Sequence, residues 1–203
     1  MYLNILSNSQ KEILPFLSQF KREFILVGGT AIALQTGHRM SIDFDLFKEN
    51  LLNKSKIKKK LSLLNVKKQL LFEDGDGIHF LVDDVKLTFF HYPFPIKGII
   101  SIEKGIKTPD LLTLAAMKFY AMGRRSKWKD YVDIHHLLQN HFTIEQVSIK
   151  ANELFGDGYS EKLFRQQIIY FENIDFSESV EWVSQEINEK TIKDDLVVFS
   201  LRF

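Results

Sequence analysis

The chain has 203 residues, and 45% of them are hydrophobic, a size and composition that suit one compact domain with a sizeable core and exclude a largely disordered chain. The formal net charge is +1, so no overall electric field selects nucleic acid or a membrane surface as the partner. The absence of cysteine excludes disulfides and thiolate chemistry and fits a reducing compartment. The N-terminus does not resemble a signal peptide and no apolar run reaches about 18 residues, so we expect a cytoplasmic protein with no membrane span.

The first hundred residues alternate helical and strand patterns. Ser9 and Glu12 have the spacing of a capping box at the start of the first helix. The apolar periodicity predicts helices at residues 7–20, 30–37 and 53–68 and strands at 23–27, 41–47, 69–73, 78–82 and 85–90.

The second half is almost entirely helical in pattern. Thr108-Pro109-Asp110 predicts a helix start with Pro109 as the first helical residue. Helices are predicted at residues 108–123, 126–140, 143–155, 159–171 and 177–190, followed by a strand or an irregular tail at 195–203. The change from strands to helices predicts a core at residues 1–100 and a helical part at 101–203 packed on that core.

Two glycines, Gly28 and Gly29, lie between the strand at 23–27 and the helix that follows it. A Gly-Gly turn at this place allows the backbone to approach a ligand closely, and the N-terminus of the next helix offers free N–H groups to a phosphate. Thr30 adds a hydroxyl at the same point. Glycine at such turns also has a purely geometric use, so this feature alone does not establish a ligand.

A pair of carboxylates follows on the next strand. The two-residue period of a strand places Asp43 and Asp45 on one face, where they repel each other unless a cation lies between them. Mg²⁺ prefers carboxylate oxygens together with substrate phosphates, and such ions can activate a hydroxyl and stabilise a leaving pyrophosphate. The sequence therefore favours a triphosphate at residues 28–30 with Mg²⁺ at Asp43 and Asp45.

The stretch GGTAIALQTGHRMSIDFDLF, residues 28–47, resembles the signature of the nucleotidyltransferase superfamily, G-G-[ST] followed by D-x-[DE]. The GHR.S.D.DLF part narrows the resemblance to the AbiEii-type abortive-infection toxins of bacterial toxin–antitoxin systems. A second block, MKFYAMGRRSKWKDYVDIHHLL at residues 117–138, is similar to the helical pair of that family. The resemblance covers about residues 10–140.

The resemblance implies an α+β fold, a mixed sheet flanked by helices and followed by a helical C-terminal part. It implies Mg²⁺-dependent transfer of a nucleotide from an NTP to an acceptor, which can be RNA and in particular the tRNA 3′ end, and a cognate antitoxin as partner. It also implies roles for individual residues. Phosphate contacts are implied for Gly28, Gly29, Thr30 and Lys118, orientation of the site for Ser41, metal binding for Asp43 and Asp45, and for Asp130 the role of a base or of an anchor for a nearby basic group.

One position departs from the superfamily pattern. The superfamily usually carries a third carboxylate on a later strand, and the matching position here is Thr88. A hydroxyl replaces a carboxylate poorly, which leaves open a one-metal enzyme, a different acceptor or an inactive relative. The alternative function is therefore a nucleotidyltransferase-fold module that binds nucleotide or RNA without transfer. A weaker alternative is a structural partner with no affinity for nucleotides.

Asp130 and Asp133 share an apolar face of their predicted helix. Buried carboxylates need partners. The basic side chains available in the same region are Arg124, Arg125, Lys127 and Lys118. A salt-bridged helix pair and a role in positioning the substrate are equally supported.

Three further features have a simpler interpretation. The DGDG stretch at residues 74–77 predicts a turn, since the glutamate of a calcium loop is missing. His135 and His136 are adjacent on a helix and point in different directions, so a structural role is favoured over a shared metal. The seven lysines between Lys54 and Lys68 predict a solvated helix face, with an RNA backbone contact as the alternative.

Overall fold

The computed structural model describes residues 1–122, 124, 126–183 and 185–202, and for Lys104 it describes the main chain alone. The predicted helix end at Gly123, the basic residue Arg125 and Ser184 of the predicted helix at 177–190 lie outside the described residues. The α-helices are α1 (Asn8–Leu17), α2 (Gly28–Thr36), α3 (Lys54–Ser62), α4 (Leu111–Met122), α5 (Trp128–Asn140), α6 (Ile144–Phe155), α7 (Glu161–Gln167) and α8 (Glu189–Leu201). The strands are β1 (Ile25–Val27), β2 (Phe44–Lys48), β3 (Lys68–Glu73), β4 (Gly77–Val82), β5 (Val85–His91), β6 (Ile100–Ser101) and β7 (Lys107–Thr108).

All seven strands form one mixed sheet in the order β3-β4-β5-β2-β1-β7-β6. β2 runs parallel to β5 and antiparallel to β1, and β1 runs parallel to β7. Since β6 spans residues 100 and 101 and β7 lies after them, the sheet extends across the predicted boundary. The predicted α+β class, a mixed sheet with flanking helices, is confirmed.

The core that holds the centre of the sheet is rich in phenylalanine. Phe20 packs between Phe24 and Phe89 at ring-centroid distances of 5.8 and 4.8 Å. Phe44 and Leu46, which alternate with the two aspartates, are fully buried. This alternation fixes which way β2 faces, because a shift of one residue would bring the carboxylates into the core.

The helix starts differ from the predictions in two places. The capping box of α1 is formed by Ser7 and Gln10, not by Ser9 and Glu12: Ser7 Oγ accepts from Gln10 N at 3.1 Å, and Gln10 Oε1 accepts from Ser7 N at 3.0 Å. At α4 the prediction of Pro109 as the first helical residue is wrong. The carboxylate of Asp110 accepts a hydrogen bond from the main-chain N–H of residue 113 at 2.8 Å, and the helix begins after it.

The C-terminal third holds the largest errors. Of the described residues of the predicted helix at 177–190, only Glu189 and Lys190 are helical, as the start of α8. Residues 181–183 instead contact the main chain of residues 38–40: Met40 N donates to Glu181 O at 2.7 Å, and Arg39 forms a β-bridge with Trp182. The tail predicted as a strand or irregular is helix α8, which begins at the Asn188 cap. Its buried residues, Ile192, Leu196 and Phe199, repeat at helical spacing.

Candidate active site

The Gly-Gly turn lies where three elements meet. Gly28 opens α2 directly after β1 with φ of +76°, and a Cβ at this position would lie 2.2 Å from Asp45 Oδ2. A Cβ at Gly29 would lie 2.6 Å from the Arg39 guanidinium. Glycine is therefore required at both positions by close contacts on opposite sides of the turn.

The N-terminus of α2 is available to an anion. Its N-cap residue, Val27, supplies no side-chain hydrogen bond, and the first N–H groups of a helix have no partner within the helix. Together with the helix dipole, these groups favour a phosphate or a carboxylate. The predicted phosphate site at residues 28–30 thus has suitable geometry.

Asp45 lies at the centre of the sheet, paired with Val27 on one side and with Thr88 on the other. Asp43 precedes β2 and does not lie within it, contrary to the predicted strand at 41–47. Burial and the charge of Asp45 raise the pKa of Asp43, and the charge of Lys86 partly offsets this effect. A carboxylate that is half-buried beside another of the same charge is a place where a cation would stabilise both.

Two buried hydroxyls hold the chain in front of β2. Thr30 Oγ1 lies 2.8 Å from Ser41 Oγ and hydrogen-bonds to the main-chain carbonyl of Asp43. Thr30 and Ser41 are both buried. Their hydroxyls therefore tie the start of α2 to the segment that carries Asp43.

The position opposite Asp45 is occupied by a hydroxyl. The β2–β5 register pairs Asp45 with Thr88, whose Oγ1 lies 3.2 Å from Nδ1 of His79 on β4. Burial and the charge of Lys86 lower the pKa of His79, so the ring is neutral at pH 7. Within the part of the chain that the structure describes, no group of three or more carboxylates, histidines or cysteines is arranged to hold a metal ion.

The donor set nevertheless fits one Mg²⁺. Two carboxylates, Asp43 and Asp45, and the Thr88 hydroxyl are hard oxygen ligands, and Mg²⁺ completes its coordination with waters and substrate phosphates. The absence of a side chain at Gly28 lets the Asp45 carboxylate lie directly against the start of α2.

Behind the Gly-Gly turn lies a buried ionic cluster, which we define as His38, Arg39, Lys118, Asp130 and Asp133. Lys118 Nζ lies 2.7 Å from Asp130 Oδ1 and 2.9 Å from Asp133 Oδ2. Arg39 binds both oxygens of Asp133, at 2.7 and 2.9 Å, and His38 Nε2 lies 2.9 Å from Asp133 Oδ1. All five residues are at most 5% exposed, so they form a compensated charge network inside the protein.

This cluster explains the electrostatics of Asp133. Burial alone would raise the pKa of its carboxyl, but the charges of Arg39 and Lys118, with hydrogen bonds from His38 and Arg39, hold that pKa well below its usual range. Asp130 is 3% exposed and contacts the Lys118 ammonium, which is the geometry of an anchor for a basic group.

The partners expected for these carboxylates were only partly found. Lys118 is one of them, whereas Lys127 pairs with Glu178, and Arg124 stacks on the Tyr120 ring with its guanidinium carbon 3.8 Å from the centroid. Arg39 comes from a segment more than ninety residues away in sequence. Sequence spacing gave no signal for that contact.

A cavity of about 310 Å³ opens from Asp45 along α4. It is lined by Gly28 and Lys118, which the sequence indicated, and by residues that the sequence did not single out. Those residues include His79, Lys86, Phe90, Tyr92, Met117, Tyr120 and Arg124. Since Lys86 and Phe90 lie two residues on either side of Thr88, the strand period could have placed both on the same face.

The remaining candidates have structural roles. Asp74 Oδ1 accepts hydrogen bonds from Asp76 N and Gly77 N, at 3.0 and 2.7 Å, which is turn chemistry. His135 pairs with Asp195 at 2.8 Å, whereas the ring of His136 stacks on that of His38 at 4.4 Å. Three of the lysines of α3 share two acids: Lys56 and Lys60 lie 2.5 and 3.9 Å from Glu23, and Lys58 lies 2.7 Å from Glu73.

The sheet, the Gly-Gly turn and the neighbouring carboxylates together define a nucleotidyltransferase-type fold. The sequence profile of the family described as nucleotidyl transferase AbiEii toxin, type IV toxin–antitoxin system, matches residues 16–195. The chain therefore belongs to the AbiEii nucleotidyltransferase toxin family, as the motifs predicted.

Three proteins similar to this chain are compared below. An uncharacterised protein of Aquifex aeolicus, aq_aa25, is 32% identical over 128 residues, and the match spans 59% of each chain. MenT4, a nucleotidyltransferase toxin of Mycobacterium tuberculosis, has a similar structure with a TM-score of 0.65 and 12% identity, covering 95% of this chain and 80% of its own. JHP933 of Helicobacter pylori has a TM-score of 0.60 and 14% identity, covering 95% and 89%. At such identities the two structures establish the fold alone.

Over the described ranges, no helix is both long and apolar enough to cross a membrane.

Proposed function

We propose that the protein is a toxin that transfers a nucleotide from an NTP to a hydroxyl of an RNA acceptor in a Mg²⁺-dependent reaction in the cytoplasm. Membership of a type IV toxin–antitoxin family supports an antitoxin as its partner. The observation that carries the proposal is the contact between Gly28 and Asp45. It places an uncapped helix N-terminus, a carboxylate and a cavity of about 310 Å³ at one point.

Asp43 and Asp45 would hold the metal ion. When bound, Mg²⁺ neutralises phosphate charge and stabilises the leaving pyrophosphate. Because each carboxylate raises the energy of the other, the ionised pair is prepared for a cation before substrate arrives.

The donor triphosphate would lie against the start of α2. There the main-chain N–H groups of residues 28–30 meet its oxygens. Lys118 donates a hydrogen bond to Asp130 and forms an ion pair with Asp133 at 2.9 Å. Because Lys118 also lines the cavity, its ammonium group would meet a phosphate there. Asp130 therefore acts as a positioning residue for Lys118.

The nucleotide base would occupy the aromatic end of the cavity. The Tyr120 ring is stacked on Phe155 at 4.1 Å and is covered by the Arg124 guanidinium on its other face. The Arg124 guanidinium and the Phe90 ring would therefore provide the flat surfaces on which a base can stack. In the transfer step the acceptor oxygen forms a bond to the α-phosphorus while the bond from that phosphorus to the β-phosphate oxygen breaks. The hydroxyl proton is released, and pyrophosphate leaves. The protein contributes position and charge.

A second candidate function follows from Thr88. The residue paired with Asp45 has no carboxylate to activate the acceptor, which favours a module that binds nucleotide or RNA without transfer. The two functions differ in one observable, because only the enzyme forms a product.

The test is a radiolabel transfer assay. Purified protein is incubated with each α-labelled NTP, Mg²⁺ and total bacterial RNA, beside an Asp43→Asn/Asp45→Asn double variant. We expect label in RNA with the intact protein only. Binding of the same NTPs with no labelled product would establish the second function, whereas equal labelling by the double variant would overturn the assignment of the carboxylates.

A further inference from the structure

One row of side chains crosses the sheet from Asp45 to the free edge. The register pairs Asp45 on β2 with Thr88 on β5, and it pairs Thr88 in turn with His79 on β4. His79 is paired with Phe72 on β3, the edge strand. Directly paired residues of neighbouring strands lie on the same face of a sheet. We define Thr88, His79 and Phe72 as the cross-strand row, which lies on the face that carries Asp45.

The cross-strand row leads away from the predicted donor site. On the other side of Asp45, the register continues to Val27, the residue before Gly28, where the donor phosphates would lie. Neighbouring strands are about 4.8 Å apart, so His79 lies about 10 Å and Phe72 about 14 Å from Asp45 across the sheet. The attacking and leaving oxygens of a phosphoryl transfer are roughly in line. An acceptor that approaches from the side opposite the donor would therefore pass over this row.

The members of the row contact one another and the cavity. The ring centroids of Phe72 and His79 are 5.7 Å apart, with 55° between the ring planes. Nδ1 of His79 lies 3.2 Å from the Thr88 hydroxyl. His79 and Thr88 also line the cavity of about 310 Å³, together with Asp45. The row is therefore a continuation of the candidate active site toward the edge of the sheet.

The outer end of the row is an exposed aromatic ring. Phe72 is 54% exposed, and His79 beside it is half-buried. A large apolar side chain that is left in water next to a binding cavity is an informative exception to the usual burial of such residues. Aromatic rings on adjacent strands of an open sheet face are the arrangement on which RNA-binding sheets stack two or three unpaired bases. The row has the chemistry of such a stacking surface.

A cation lies beside the row. Lys86 precedes Thr88 by two residues on β5, so the strand period places both on the same face. Lys86 lines the cavity together with His79. Neutralisation of phosphate by lysine is the general source of affinity for nucleic acids. An RNA strand that stacks its bases on the row would thus have an ammonium group near its phosphates.

We propose that the cross-strand row binds the 3′ end of a single-stranded RNA acceptor. The base of the terminal nucleotide stacks on His79, and the base before it stacks on Phe72. The terminal 3′ hydroxyl then lies near Thr88, beside Asp45. This inference rests on the proposed nucleotidyl transfer, and it specifies the acceptor as an unpaired strand, because bases inside a duplex cannot stack on side chains.

The experiment measures binding of a 5′-labelled single-stranded RNA oligonucleotide without NTP, by fluorescence anisotropy over a range of salt concentrations. We expect Phe72→Ala to lower the affinity about 5- to 150-fold, the effect of losing one stacked base. The slope of log affinity against log salt should not change, because no phosphate contact is lost. Phe72→Trp should bind at least as well as the unchanged protein. Phe72→Leu, which keeps an apolar side chain without an aromatic face, should not restore the affinity.

A spectroscopic measurement reports the stacking itself. With 2-aminopurine as the penultimate base of the oligonucleotide, its fluorescence should be quenched on binding to the unchanged protein and to Phe72→Trp, but not to Phe72→Leu. Phe176→Ala is the matched control, because Phe176 is 48% exposed and stacks on Trp128 at 5.3 Å, outside the row. Its RNA affinity should equal that of the unchanged protein. Unaltered RNA affinity in Phe72→Ala would overturn the proposal, as would full affinity in Phe72→Leu.

Failure of the transferase function is distinguishable from failure of the stacking surface, because the binding measurement contains no NTP. If the affinities change as expected but no nucleotide is transferred, the RNA site stands and the enzymatic function fails. If RNA is labelled by the intact protein and Phe72→Ala leaves both the RNA affinity and the KM for RNA unchanged, the enzymatic function stands and the RNA site fails.

Discussion

Two charged regions lie on opposite sides of the Gly-Gly turn and differ in how their charges are balanced. In the buried ionic cluster behind Gly29, two carboxylates are matched by Arg39 and Lys118 at distances of 2.7 to 2.9 Å. In front of Gly28, burial and the charge of Asp45 raise the pKa of Asp43, and the charge of Lys86 partly offsets this effect. The pKa shifts run in opposite directions, lowered for Asp133 and raised for Asp43.

The comparison shows that burial of a charge does not by itself identify a functional site. The buried cluster fixes the position of Lys118 behind the turn, whereas the pKa of the half-buried Asp43 is raised by burial and by the charge of Asp45. A residual electrostatic cost in the folded state is typical of catalytic positions. We therefore expect mutations in the buried ionic cluster behind Gly29 to lower stability, and mutations of Asp43 or Asp45 in front of Gly28 to lower activity.

The largest effect is expected from Asp133→Asn. Removing this charge leaves Arg39 buried without its bidentate partner, which should lower the free energy of unfolding by about 3–5 kcal/mol. Urea denaturation measures the change. Asp195→Asn, which removes the more exposed partner of His135, is the control and should lower it by less than about 1 kcal/mol.

Stability at low pH should follow the same cluster. Because the folded pKa of Asp133 is depressed, its contribution is complete above the unfolded value of about 3.9 and is lost as pH falls toward the folded value. If the free energy of unfolding falls by the same amount at low pH in the unchanged protein and in Asp133→Asn, Asp133 does not contribute to the acid sensitivity.

On the other side of the turn, Asp45→Asn should affect activity and leave the fold intact. We expect kcat/KM to fall by about a hundred- to a thousand-fold, the loss typical of removing a charge-stabilising group at the reacting centre. Denaturation should show unfolding like that of the unchanged protein. Asp84→Asn, at the exposed turn between β4 and β5, should retain full activity.

The turn itself separates the two regions, and Gly28→Ala tests that separation. The positive φ and the contact with Asp45 Oδ2 should together lower the free energy of unfolding by more than about 1 kcal/mol and abolish nucleotide binding. Gly75→Ala is the matched control, since a Cβ there would meet nothing within 4 Å. Equal free energies of unfolding for the two variants would show that a Cβ at residue 28 does not clash with Asp45 Oδ2 in solution.

The smallest effect concerns Asp43 and pH. A raised carboxyl pKa means that the folded protein binds the proton more tightly than the unfolded chain. The stability contribution of Asp43 therefore decreases as pH rises from the unfolded value through the folded one. Without Mg²⁺, Asp43→Asn should then have a higher Tm than the unchanged protein at neutral pH.

Added Mg²⁺ should reverse this order, because it stabilises the unchanged protein by mass action and binds the variant less well. Thermal unfolding at several pH values, with and without the ion, measures both effects. If the Tm difference between Asp43→Asn and the unchanged protein is the same with and without Mg²⁺, Asp43 does not bind the metal ion.

The sequence predicted the region of the Gly-Gly turn and the two aspartates better than it predicted the C-terminal third. The alternation of Asp43 and Asp45 with Phe44 and Leu46 fixed the facing of the carboxylates, because exchanging the two faces would bury two charges. Gly37 was correctly expected to end α2, and it does so in the left-handed conformation with φ of +71°. These are local properties, which neighbouring residues decide.

The C-terminal third was predicted less well because its conformation depends on distant partners. Residues 177–183 have an apolar spacing compatible with a helix, yet their main chain pairs with residues 38–40, more than 130 positions earlier. A helical alternative would satisfy the same hydrogen bonds locally. The tertiary contact decides between them.

By itself, therefore, the sequence determined the family, the mixed α+β fold, the Gly-Gly turn and the pair of aspartates, since all of these depend on motifs and periods of a few residues. The tertiary structure alone decided that Arg39 and Lys118 share Asp133, that Thr88 lies opposite Asp45, and that Glu178 contacts both Lys127 and Lys129. The physical reason is that charge compensation depends on distances in space, and residues far apart in the chain carry no pattern that reveals those distances.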